Sequence, residues 1–86
     1  MSLIRSPVDT LAKILEVLAE NSCVMRDSDL YEVLRKEHPD LSFSDLIRYL
    51  MILEIRGFIH VSSSRESVRI IRLSKYGKEQ LRVQRC

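Results

Sequence analysis

Val8, Leu11, Ile14, Leu15 and Leu18 recur at three- and four-residue steps, while Lys13, Glu16 and Glu20 fall between them. That is the period of one apolar helix face. Ser6-Pro7-Val8-Asp9 supplies a start for it. The serine caps free backbone N–H groups, proline fits the first helical position, and the carboxylate suits the positive end of the helix dipole. The pattern predicts a helix over about 7–20, ended by Asn21-Ser22.

Cys23-Val24-Met25 is a short apolar run, read as a brief strand leading into a second helix. Asp27 or Ser28 is the expected cap of that helix, and Leu30, Tyr31, Val33 and Leu34 its inward side. It must stop near His38, because Pro39 disfavours helical geometry in the residue before it. Pro39-Asp40-Leu41 makes a turn, and Ser42-Phe43-Ser44-Asp45 fits a capping box. A third helix then runs to about Arg56, with Leu46, Tyr49, Leu50 and Leu53 inward and Gly57 as a left-handed C-cap.

After Gly57 the period falls to about two. Phe58–Val61 and Val68–Leu73 are rich in β-branched residues, and the polar Ser63-Ser64-Arg65-Glu66-Ser67 separates them, with Ser62 on the strand edge. This is a hairpin with a positively charged tip. Ser74 caps a last short helix from Lys75 to about Val83, with Leu81 inward and Lys78, Arg82 and Arg85 outward. The fold class expected is therefore α+β and mostly helical. It consists of a three-helix bundle with a helix-turn-helix, a C-terminal β-hairpin and a short final helix. One domain spans residues 1–86, with its ordered core over about 7–82.

Composition adds little to this except through charge. No stretch approaches the length of a membrane span, and the first residues lack a basic-then-apolar leader pattern, so a soluble, cytoplasmic protein without membrane contact is expected. Residues 1–55 carry six basic and ten acidic side chains, whereas residues 56–86 carry eight basic and two acidic ones. Such polarity favours a polyanionic partner for the C-terminal part. Cys23 and Cys86 are too few for a disulfide framework, and read as one buried or half-buried thiol and one exposed terminal thiol. His38 and His60 lack partners at metal-site spacing, so no metal and no cofactor is expected. No phosphate loop, carboxylate pair or nucleophile elbow is present, which argues for binding rather than catalysis.

Two segments resemble the winged helix-turn-helix family of small bacterial and archaeal proteins, and the likeness covers about residues 7–82. One is Leu50-Met51-Ile52-Leu53-Glu54-Ile55-Arg56-Gly57-Phe58-Ile59, similar to the family's run from third helix into first wing strand. The other is Ile71-Arg72-Leu73-Ser74-Lys75-Tyr76-Gly77-Lys78-Glu79, which looks like the stretch that closes many wings. The resemblance implies double-stranded DNA as partner, with the third helix in the major groove and the wing on the backbone or minor groove. It implies a transcriptional regulator or chromosome-associated factor, acting as a dimer. Carried over by position, the contacts are Ser42 and Ser44 at the start of the third helix, Arg48 on its outer face, and Arg65 at the wing tip. Arg69 and Arg72 follow on the return strand, and Lys75 and Lys78 on the next helix. One departure matters: the outer face of the third helix carries Ile47, Met51, Ile52 and Ile55, with Arg48 its only cation. An apolar outer face is usually buried against something. A second copy of the chain, another protein and the chain's own final helix all remain open as its cover, and with them the alternative of a protein-interaction subunit or adaptor.

Overall fold

A computed structural model of the chain describes residues 7–63, 66–84 and 86, with side chains from residue 9 onward. Ser6, Ser64, Arg65, Arg85 and the side chain of Val8, all named above, lie outside the described residues. In chain order the elements are α1 (Pro7–Glu20), β1 (Val24–Arg26), α2 (Asp27–Glu37), α3 (Phe43–Ile55), β2 (Ile59–Ser63), β3 (Arg69–Leu73) and α4 (Lys75–Leu81). The strands form one antiparallel sheet in the order β1-β3-β2. Thus the brief first strand does not stand alone: it pairs with β3 through Val24↔Arg72 and Arg26↔Ile70, and makes β3 central.

One face of this sheet packs on the helices. Ile14 and Leu18 from α1, Leu30 and Leu34 from α2, and Leu46 and Leu53 from α3 meet Ile59, Ile71 and Leu73 in a continuous buried core. The helical period of three to four and the strand period of two both deliver one apolar side to the same volume. Tyr31 and Val33 are only half-buried at its margin. The Tyr31 hydroxyl donates to the Leu41 carbonyl at 3.0 Å, and its ring meets Phe43 edge-on, which fixes the turn between α2 and α3.

The α3 capping box forms as the sequence pattern predicts. Ser42 Oγ accepts from the Asp45 N–H at 3.0 Å, and the Asp45 carboxylate accepts from the Ser42 N–H at 3.4 Å. Ser42→Ala should therefore cost about 1 kcal/mol in a urea unfolding titration, with the m-value unchanged. The start of α2 differs from expectation. Its N-cap is Arg26, without a side-chain cap, because β1 runs straight into the helix. Asp27 is instead the first helical residue and is buried. Its Oδ1 accepts the Ser28 N–H at 2.8 Å and its Oδ2 lies 3.6 Å from Arg69 Nη1.

The two cysteines also correct the reading of free thiols. Cys23 and Cys86 are joined in a disulfide, with Cα atoms 5.9 Å apart across a separation of 63 residues. Cys23 is buried, as expected, but not as a thiol. Helix α4 ends at Leu81, short of Val83, where Arg82 turns the chain in the left-handed conformation (φ 58°, ψ 39°). The Val83 N–H bonds back to the Lys78 carbonyl at 2.8 Å, and the tail then reaches the turn that precedes β1.

Candidate nucleic-acid interface

The residues that present α3 and the hairpin converge on one hydrogen-bonded node. Gly57 follows α3 with φ 85°, a conformation that lets the chain leave the helix and enter β2 without a Cβ penalty. The Ser74 hydroxyl donates to the Gly57 carbonyl at 2.6 Å and accepts from the Gly77 N–H at 2.9 Å. The Ser74 N–H donates to the Phe58 carbonyl at 2.9 Å. At Gly77 a Cβ would stand 2.3 Å from the Phe58 oxygen, so only glycine lets α4 approach this closely. Glu54 adds a tie between α3 and β2 by accepting the Val61 N–H at 3.2 Å. These bonds fix the angle between α3 and the hairpin that any shared ligand of the two would meet.

The side chains expected to touch DNA divide between two faces. Ser44 and Arg48 are exposed on α3, one turn apart, and Arg48 has no ion-pair partner among the described residues. Ser42 is engaged in the cap. Arg69 and Arg72 lie three positions apart on a strand, and therefore point to opposite sides of the sheet. Arg69 joins Ile71 and Leu73 on the helix side, where the buried Asp27 carboxylate holds it. Arg72 is exposed on the other side, between Val24 of β1 and His60 of β2. Lys75 is exposed on α4, while Lys78 is half-buried and donates to the Cys86 carbonyl at 3.4 Å. Beside Arg72, the same solvent face carries a cation that sequence reasoning did not single out, Arg26 of β1. Its only trace in the sequence is position: it ends a three-residue strand whose pairing with β3 was not legible.

Two further cations are occupied within the fold. Lys13 sits 3.2 Å from Glu37 and 3.3 Å from Glu16, and hydrogen bonds to these two carboxylates raise its pKa above the ordinary lysine value. The guanidinium of Arg35 lies 5.5 Å over the Tyr31 ring.

The apolar residues of the outer α3 face divide too. Ile47 and Ile52 are half-buried against the core. Met51 and Ile55 remain 57% and 82% exposed. The chain's own final helix does not cover them: Leu81 and Val83 lie instead beside Ala12 and Ala19 of α1. A shallow depression next to Met51 is lined by Ile47, Leu50, Glu54, Val61 and Arg69.

Among the described residues no cluster of three metal-ligating side chains occurs, and no helix is long and apolar enough to cross a membrane. Compared with known proteins, the chain matches no family model, no curated protein and no solved structure.

Proposed function

We propose that this chain is a small winged helix-turn-helix protein that binds double-stranded DNA, as a transcriptional regulator or chromosome-associated factor, and acts by binding rather than catalysis. The observation that carries the reading is the order helix, strand, helix, turn, helix, hairpin, with the first strand closing on the hairpin. On this reading α3 enters the major groove and β2–β3 serves as the wing. Arg48, exposed and without an ion-pair partner among the described residues, is the side chain on α3 suited to a phosphate or a guanine edge, and Ser44 stands one turn before it. Lys75 adds an exposed cation where β3 passes into α4.

The test is a titration of a labelled random-sequence duplex at several salt concentrations, comparing the wild type with Arg48→Ala. With one phosphate fewer neutralised, binding should weaken across sequences and the plot of log affinity against log salt should flatten by about one. Unchanged affinity and slope in Arg48→Ala would remove α3 from the interface.

A second reading, a protein-interaction module, is favoured by Met51 and Ile55, which stay exposed with no part of the described chain over them. Met51→Asp combined with Ile55→Asp should then dissociate a dimer or a partner complex, seen as a change of mass in light scattering. Ile52 is unsuitable for this test, because it is packed against the core. A chain that is monomeric before and after the change, and that retains DNA binding, would dismiss this second reading.

A further inference from the structure

We infer that the solvent face of the sheet, built on Arg26 and Arg72, is a second binding surface for the phosphates of duplex DNA, separate from α3. The inference rests on the DNA-binding reading and extends it to a face that helix α3 does not share.

The register defines the face. Arg26 and Ile70 are cross-strand partners, as are Ile70 and Ser62; in the next row Val24, Arg72 and His60 align. These are the positions that alternate with the core-facing Ile59, Ile71 and Leu73. Arg26 and Arg72 are therefore diagonal neighbours, about 7–8 Å apart at the backbone. That separation lets two guanidinium groups act on one stretch of polyanion.

The charge on this face is of one sign. The ionisable residues of the three strands are Arg26, His60, Arg69 and Arg72, with no carboxylate among them. Arg69 is on the other face and paired to Asp27. Arg26 and Arg72 are both exposed and have no ion-pair partner among the described residues. Cations on an edge strand serve to block pairing with other chains. That accounts for Arg26 on β1 but not for Arg72, which stands on the central strand. An exposed guanidinium at the centre of a sheet face, with exposed Val24 and half-buried Ile70 as an aliphatic floor, fits planar bidentate phosphate binding.

The test uses the full chain and a random-sequence duplex. Arg26→Gln with Arg72→Gln is compared with the wild type and with a charge-matched control on α2, Arg35→Gln with Lys36→Gln. All three proteins are first checked for unchanged melting temperature. The sheet variant should reduce the slope of log affinity against log salt by about two, one for each phosphate no longer neutralised. The control should change it by much less. A wild type that binds, with a sheet variant of unaltered slope and affinity, overturns this inference and leaves the α3 reading standing. Equal losses in sheet variant and control overturn it as well, since net charge alone would then explain the effect. A wild type that does not bind even at low salt removes the DNA-binding reading and this one together.

Discussion

Cys86→Ser should lower the stability of the domain by about 4 kcal/mol, and the reduced wild type should unfold at the same urea concentration as the variant. The expectation follows from the length of chain that the disulfide closes. Cys23 and Cys86 are 63 residues apart, so the bond restricts most of the unfolded chain, and the chain-entropy relation for a loop of that size gives about 4 kcal/mol. Against a total of about 5–15 kcal/mol for a typical domain, this is a large share. The native side of the balance adds a local effect. The bond anchors the tail that follows Arg82, and with it the packing of Leu81 and Val83 beside α1. Urea titrations of the oxidised wild type, the wild type in excess dithiothreitol, and Cys86→Ser separate the possibilities. Coincident midpoints for all three would show that the bond contributes nothing to stability.

Gly77→Ala should destabilise by about 2 kcal/mol, against the direction that helix propensity alone gives. Alanine is better than glycine inside a helix by about 1 kcal/mol, and Gly77 lies within α4 without a positive φ. The opposing effect is steric. The added Cβ would meet the Phe58 carbonyl oxygen at 2.3 Å and the Ser74 hydroxyl at 3.3 Å, neither of which is the free end of a flexible side chain. Moving α4 away would stretch the hydrogen bonds through which Ser74 joins Gly57 to Gly77. Overpacking of this kind typically costs about 1–3 kcal/mol, and a backbone obstacle places it at the upper end. Thermal unfolding gives the answer by sign: a raised midpoint would mean that α4 shifts freely and that the node is not a constraint.

Much of the fold was legible because it rests on local chemistry. The limits of α1, the stop of α2 before Pro39, the Ser42–Asp45 capping box and the exit through Gly57 each depend on a few adjacent residues. The segments Leu50–Ile59 and Ile71–Glu79 were legible as separate strings, and the structure shows where they meet. Leu50 and Leu53 enter the core, Glu54 holds β2, and Gly57 and Gly77 are bridged by the hydroxyl of Ser74. What escaped the sequence was long-range. The pairing of a three-residue β1 with β3 leaves no periodic mark, so neither the central place of β3 nor the partnership of Arg26 with Arg72 could be read. Period-two alternation does put Arg69 and Arg72 on opposite faces, but only the position of Asp27 shows which of them is held. The disulfide joins residues that no local rule relates.

The most direct test of DNA binding is a fluorescence-anisotropy titration of a labelled random duplex with the wild-type protein, repeated over a series of salt concentrations. The expected result is micromolar binding whose logarithm falls linearly with log salt, at a slope that corresponds to several phosphates neutralised. An absence of binding at low salt would contradict it, and would leave the exposed Met51 and Ile55 on α3 as the surface on which to seek a protein partner.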